Sequence, residues 1–235
     1  MGRVLFVTGT DTGVGKTVAA AWLALVLPET LRVAVVKAVE TGVAPGEPGD
    51  EAFYRRALAG RDVTTATVEA LPEPLAPSVA ARRAGRALDI TAIAARCLSV
   101  AAEHDVTLVE GAGGLLVTMT PEVDCAGLAK MLGAGLVIVI RPGLGTLNHT
   151  MLTVEAAERR GLAVEMLVCS GMPPERGIVE RENMRFLRGR YPDMPLVVLP
   201  WVSEDALARL ADLGAMIAGP VPEMLAHLGL RRFVV

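Results

Sequence analysis

The chain has 235 residues, 52% of them apolar but only 3% aromatic, and a formal net charge of −3. That length suits one α/β domain or, less easily, two small ones, and a core of Ala, Val, Leu and Ile favours buried parallel strands under Ala/Leu helices. A pI near 5.7 with no Lys/Arg block gives no nucleic-acid footprint, and the longest apolar run, Val18–Leu27, is short of the roughly 18 residues a membrane span needs.

The N-terminal MGRVLFVTG is a strand, Val4–Val7, running into a glycine turn, without the charged, apolar and small regions of a signal peptide. Lys16–Leu27 is predicted as a helix, Val33–Val36 as a strand, and Lys37–Glu51, polar and rich in Gly and Pro, as a loop. Helices follow near Ala52–Leu58, Ser78–Arg83 and Thr91–His104. Val106–Val109 is a strand ending in Glu110-Gly-Ala-Gly-Gly114, and Leu136–Ile140 is a strand rich in β-branched residues. Helix Thr146–Arg160, strand Val164–Cys169, helix Arg176–Arg190 and strand Leu196–Leu199 precede two closing helices, Ser203–Leu213 and Pro220–Leu228. This alternation, with no repeat or low-complexity linker, predicts a single α/β domain over 1–235: a mainly parallel sheet with helices on both faces. Cys97, Cys125 and Cys169 form no CxxC pair and read as small buried hydrophobes in a reducing, cytoplasmic setting.

Gly9-Thr-Asp-Thr-Gly-Val-Gly-Lys-Thr17 lies between the first strand and the first helix. Backbone N–H groups at such a helix start attract phosphate oxygens, and glycine lets the backbone approach them. In a phosphate loop Lys16 would reach the β- and γ-phosphates and the Thr17 hydroxyl would ligate Mg²⁺. The spacing departs from the usual one, with five residues rather than four between Gly9 and Gly15. The alternative is a plain helix N-cap. An apolar strand ending in Glu110 is the usual acidic partner of such a loop; alone, it could also be an exposed strand end. Only three of the 23 basic residues are lysines, Lys16, Lys37 and Lys130. The few lysines therefore read as positions where a compact, rotatable ammonium is wanted. Lys37 ends the second predicted strand, at the edge where open α/β sheets bind ligands; the plain alternative is a surface lysine.

Four segments in order carry a resemblance: Val7–Thr17, Lys37-Ala-Val-Glu-Thr-Gly42, Val109-Glu-Gly-Ala-Gly-Gly114 and Gly145-Thr-Leu-Asn-His149. Together with Glu73-Pro-Leu-Ala-Pro77 and Leu199-Pro-Trp201, they resemble the dethiobiotin synthetases, in which the longer phosphate-loop spacing also occurs. The resemblance spans about residues 4 to 202. It implies a P-loop fold and an ATP- and Mg²⁺-dependent ligase that joins CO₂ or bicarbonate to 7,8-diaminononanoate and closes a cyclic urea through a carbamic–phosphoric anhydride. It further implies that Lys37, Lys16 and Thr12 act on the transferring phosphoryl group, that Thr17, Asp50 and Glu110 surround Mg²⁺, and that Thr41 touches the diamine. The backbones of Gly13, Val14, Gly15, Lys16, Thr17 and Val18 and of Gly111, Ala112 and Gly113 would hold phosphates and neighbouring groups. Gly145, Thr146, Leu147 and Asn148 would bind the substrate carboxylate from the other subunit of a homodimer.

Three positions depart from the family pattern: Ala38 replaces a usual Pro, Gly13 stands where some members have Glu, and Ser170-Gly171 replaces an Asn-containing pair that reads adenine. Serine lacks the paired donor and acceptor of an amide, leaving Leu199, Pro200 and Trp201 as a possible wall for the base. Two rivals share the P-loop. Cobyrinic-acid amidating enzymes need a further glutaminase domain with a Cys/His pair, and no such constellation is evident. Partitioning-type ATPases carry a second lysine early in the loop, near Gly13, where this chain has none.

Overall fold

The computed structural model describes residues 2–202 and 226–229. The helices expected over 203–213 and 220–228 lie outside the described residues, apart from 226–228. Seven strands are described: β1 (Arg3–Gly9), β2 (Val33–Thr41), β3 (Val63–Leu71), β4 (Val106–Gly114), β5 (Gly135–Ile140), β6 (Val164–Met172) and β7 (Leu196–Pro200). They pair in parallel in one sheet of order β3-β2-β4-β1-β5-β6-β7. The helices are α1 (Lys16–Val26), α2 (Asp50–Ala57), α3 (Pro77–Arg83), α4 (Ile90–Glu103), α5 (Cys125–Met131), α6 (Thr146–Arg159) and α7 (Ile178–Arg190).

Side chains alternate across each strand, so each contributes to two cores. Leu5, Val7, Val33, Val35, Leu108 and Val137 meet Trp22, Leu23, Tyr54 and the alanines of α1 on one face. Phe6, Val36, Val109, Leu136 and Ile138 meet α3 to α7 on the other. The near-continuous apolar strands are the signature of a parallel sheet covered twice. All three cysteines are buried and unpaired, as their apolar neighbours imply.

The main correction concerns the stretch after Val36. Instead of a loop over Lys37–Glu51, β2 continues to Thr41 and α2 begins at Asp50. Lys37, Ala38, Val39 and Glu40 are all buried; β3 pairs along this stretch to Thr41, and β4 pairs as far as Lys37. The sequence reading also lacked β3 and α5. Strand β3, Val-Thr-Thr-Ala-Thr-Val-Glu-Ala-Leu, is an edge strand, half-buried along most of its length, so it lacks an uninterrupted apolar run. Helix α5 has only two turns, capped by the Asp124 side chain on the Gly127 N–H.

Strand order reverses at β1. The chain passes from β1 through α1 across β4 to β2, and later from β4 across β1 to β5. Such a switch point opens a crevice at the carboxyl ends of the strands. The Gly9–Thr17 loop and Glu110 both lie there, on β1 and β4.

Candidate active site

Helix α1 springs from Gly15, whose φ of 91° is left-handed and which offers no side-chain cap. The first N–H groups of a helix lack intrahelical acceptors, so those of Lys16, Thr17 and Val18 form an uncapped positive rim. A Cβ on Gly15 would sit 2.4 Å from Ser170 Oγ; glycine is thus required there by conformation and by close approach. Gly13 is also left-handed, at φ 71°, and faces open space, while Val14 is buried.

Asp11 braces the loop. Its Oδ1 accepts the Thr12 N–H at 2.7 Å, its carbonyl accepts Lys16 Nζ at 3.2 Å, and its carboxylate pairs with Arg141 at the end of β5. Lys16 is 7% exposed. Burial pushes its pKa below the ordinary lysine value, against the opposing pull of Glu110.

Lys37 and Glu110 are register partners on β2 and β4, and Glu110 faces Val7 on β1. Neighbouring parallel strands therefore put the two side chains on the α1/α2 face of the sheet at the same level. Lys37 Nζ lies 2.7 Å from Glu110 Oε1 and 2.6 Å from Asp50 Oδ2. Thr17 Oγ1 donates to Glu110 Oε1 at 3.2 Å. Glu110 is 1% exposed and Lys37 6%. Burial alone would lower the Lys37 pKa; the carboxylates of Glu110 and Asp50 outweigh it and hold the ammonium charged, with a pKa above the ordinary value. Two carboxylates within salt-bridge distance thus hold Lys37 as a cation.

Two further residues complete the cluster, and sequence reading missed both. The Tyr54 hydroxyl donates to Glu110 Oε2. Burial, then the Glu110 charge, pushes the Tyr54 pKa well above its usual value. Glu40 Oε1 accepts the Asp50 N–H at 2.6 Å and so anchors the start of α2; burial pushes its pKa up. The one signal for Tyr54 was its place a helical turn after Asp50, which puts both on one side of α2. Glu40 lies inside the Lys37–Gly42 segment, but no role was assigned to it.

Mg²⁺ takes hard oxygen donors, typically one or two carboxylates plus substrate phosphates. Thr17, Glu110 and Asp50 supply a hydroxyl and two carboxylates around a point already holding a cation, the Lys37 ammonium, so the donor set fits that ion. Among the described residues no group of three or more His, Cys, Asp and Glu could hold a metal.

The other residues singled out by sequence are spread around this cluster. Thr41 ends β2, half-buried. Gly111 is packed against the Phe6 ring, the Ala112 carbonyl accepts the Cys125 thiol, and Gly113, at φ 63°, abuts Thr12. Ser170 is buried, its hydroxyl turned towards Gly15, and Gly171 is left-handed at φ 82°. Pro200 is half-buried and Trp201 is 62% exposed, but Leu199 points into the α1/α2 core. Side chains alternate along β7, so Leu199 faces the α1/α2 core while Leu196 and Val198 face the other. On the far side of the loop, Gly145 caps α6 in a left-handed conformation without a side-chain cap. Thr146 is buried with its hydroxyl unpartnered, Leu147 is half-buried and Asn148 exposed. A cavity of about 320 Å³ beside the loop is lined by Thr10, Asp11, Thr12, Leu116 and Leu152 among others. Larger cavities, about 660 Å³ near α3 and about 410 Å³ at the amino edge of the sheet, lie away from the cation–carboxylate cluster.

A family profile described as an AAA domain matches residues 3–208. An ATP-dependent dethiobiotin synthetase BioD of Anaeromyxobacter dehalogenans strain 2CP-1 is 41% identical over 93% of this chain and 99% of its own length. One of Rhodococcus jostii strain RHA1 is 49% identical over 77% of this chain and 79% of its own. An ATP complex of Cyanothece McdA superposes with a TM-score of 0.63, covering 100% of this chain and 99% of that one, but at 15% identity it shares only the fold. With the extended phosphate loop, the lysine on β2 and the acid ending β4 in one crevice, and identity at that level over nearly the whole length, the chain belongs to the family of ATP-dependent dethiobiotin synthetases.

Proposed function

We propose that this chain makes dethiobiotin from 7,8-diaminononanoate, CO₂ and ATP, as a step of biotin synthesis in the cytoplasm. One observation carries the chemistry: two buried ammonium groups, Lys16 and Lys37, stand at the mouth of an uncapped helix start beside Glu110 and Asp50. The family membership supplies the substrate.

One amine of the diamine takes up CO₂ and becomes a carbamate. A carbamate oxygen attacks the γ-phosphorus, and ADP leaves. The second amine then attacks the carbamoyl carbon of the resulting anhydride, phosphate leaves, and the ring closes. No protein nucleophile is consumed, so the residues act by positioning and by stabilising charge. Lys37, held charged by its carboxylate neighbours, keeps its ammonium available for the carbamate and the moving phosphoryl group. Lys16 and Thr12 act on the same oxygens. The backbones of Gly13–Val18 and Gly111–Gly113 hold phosphates and neighbouring groups. Thr17, Asp50 and Glu110 would hold Mg²⁺, which supplies Lewis-acid neutralisation of phosphate charge.

Thr41 contacts the diamine, and the α6 start at Gly145–Asn148, contributed by the second copy in a homodimer, takes its carboxylate; an uncapped helix start is suited to an anion. Ser170-Gly171 with Pro200 and Trp201 would border the base. The test is to incubate the protein with diaminononanoate, bicarbonate, Mg²⁺ and ATP. The expected outcome is dethiobiotin formed with matching phosphate release. A diamine that does not stimulate phosphate release, under conditions where Mg-nucleotide demonstrably binds, overturns the proposal.

A further inference from the structure

Among the described residues, Glu110 has contacts on both carboxylate oxygens. Oε1 meets Lys37 Nζ and the Thr17 hydroxyl, while Oε2 meets the Tyr54 hydroxyl. Tyr54 is fully buried on α2 and packs edge-on against Phe53, with ring centroids 6.0 Å apart. It needs no tyrosine to fill that space: a phenylalanine would cover the same apolar surface without bringing a polar atom into the α1/α2 core, where burying an unpaired hydroxyl is costly. Its hydroxyl is satisfied by Glu110 alone among its neighbours. Asp50, one turn earlier on the same helix, grips Lys37. One side of α2 thus holds both members of the Lys37–Glu110 pair, each by a separate bond.

We propose that Tyr54 is a positioning residue of the phosphoryl-transfer site: its hydroxyl fixes Oε2 of Glu110, so that Oε1, on the Thr17 side, is presented to the divalent cation that accompanies the triphosphate. This rests on the reading of Thr17, Asp50 and Glu110 as the Mg²⁺ ligands. Hydrogen bonds that orient a ligating carboxylate matter because a carboxylate free to rotate must be ordered again each time the metal binds; losing such a partner typically costs 10- to 100-fold in metal affinity or activity. Tyr54 touches neither substrate nor metal and acts only through Glu110.

The test measures metal binding, not turnover. Mn²⁺ is titrated, with the free ion followed by its EPR signal, onto protein loaded with a non-hydrolysable ATP analogue. Wild type is expected to take up Mn²⁺ and Glu110→Gln to lose it. Tyr54→Phe is expected to weaken Mn²⁺ by about tenfold or more, while its affinity for the analogue in EDTA stays that of wild type. An unchanged or tighter Mn²⁺ affinity in Tyr54→Phe overturns the inference and leaves the metal assignment standing. Weaker analogue binding in EDTA also overturns it, since that marks a packing role. A wild-type protein that takes up no Mn²⁺ removes the metal assignment and the inference with it. Tyr54 and Tyr191 are the two tyrosines of the chain, so 3-fluorotyrosine in a Tyr191→Phe background labels Tyr54 alone and serves if Tyr54→Phe fails to fold. Its ¹⁹F resonance should move when Mg²⁺ joins the analogue-bound protein; a resonance that stays in place overturns the proposal.

Discussion

Lys37 carries two duties that a single substitution separates. It neutralises two carboxylates, one of them fully buried, and it offers the charge proposed to steady the phosphoryl group. In Lys37→Gln the amide remains a hydrogen-bond donor, one atom shorter in reach, but the buried carboxylate loses its counter-charge. Breaking such a pair from one side typically costs about 3–5 kcal/mol, and the amide bond offsets part of that. Urea unfolding should therefore register a loss of a few kcal/mol at most. Turnover should fall by about 10²- to 10³-fold, the scale of removing one preorganised electrostatic contact; near-wild-type turnover with nucleotide bound would remove Lys37 from the chemistry. Ser170 supports a second expectation. Its hydroxyl is turned to Gly15, so no side chain at this position offers an amide to a base. Sites that hydrogen-bond a group reject analogues lacking it by about 10⁴ to 10⁵, whereas sites that merely enclose it discriminate by about 10 to 10². CTP and GTP should accordingly support dethiobiotin formation within about 10²-fold of ATP in kcat/KM. Discrimination of 10⁴ or more would mean that another group reads the base. At this scale the sequence was informative wherever a motif fixed the neighbourhood, as at Lys16, Thr17 and Glu110. It assigned no role to Tyr54 or Glu40, whose roles exist only once β2, β4 and α2 are brought together.

Among elements, α2 and the end of β2 were the least legible and lie closest to the chemistry. Gly and Pro between Val43 and Gly49 suggested a loop from Lys37 onward, yet β3 carries the ladder on to Thr41 after β4 pairs as far as Lys37. Because β3 is rich in Thr and half-buried, it was not recognised as a strand; without it, nothing indicated that β2 was an interior strand. The N-cap of α2 is Gly49, where a Cβ would meet the Glu40 carboxylate within 2.4–2.7 Å, and Glu40 supplies the acceptor that no side-chain cap provides. Glu40→Ala should cost about 1 kcal/mol, the usual value of a helix cap, and should lower turnover more than that loss suggests because Asp50 is freed. Glu40→Gln keeps an acceptor and should retain activity. Its pH dependence has a definite sign. Burial raises the folded pKa of Glu40 above the ordinary 4.5, so the folded state binds the proton more readily than the unfolded one. The stability of wild type relative to Glu40→Gln should therefore rise as pH falls from neutral through the raised folded pKa towards 4.5, measured from urea midpoints. A difference that stays flat or falls would contradict the buried, charge-penalised setting of this carboxylate.

At the scale of the whole molecule, the sheet order decides what one copy can supply. The reversal at β1 puts the phosphate loop, Lys37 and Glu110 on one side of the crevice and sends β5 and α6 to the other. The cavity beside the loop is bordered by Leu116 and Leu152, which are 51% and 57% exposed, and Leu144, just before the α6 start, is 83% exposed. Large apolar side chains gathered near a functional cavity mark an interaction surface more often than isolated ones do. In the proposed homodimer a second copy laid across this side would cover them, and the contacts would repeat reciprocally across the two-fold axis. The proposed homodimer thus makes a demand on mass as well as on activity. Wild type should sediment as a dimer, and the double variant Leu144→Asp, Leu152→Asp should sediment as a monomer, because two desolvated carboxylates on each face oppose closure. Since the phosphate loop, Lys37 and Glu110 all belong to one copy, the variant should bind the ATP analogue as wild type does. It should fail to form dethiobiotin, because the diamine carboxylate has lost its helix start. A monomeric variant with full synthetase activity would mean that one chain holds the whole substrate, and that the exposed leucines serve another purpose.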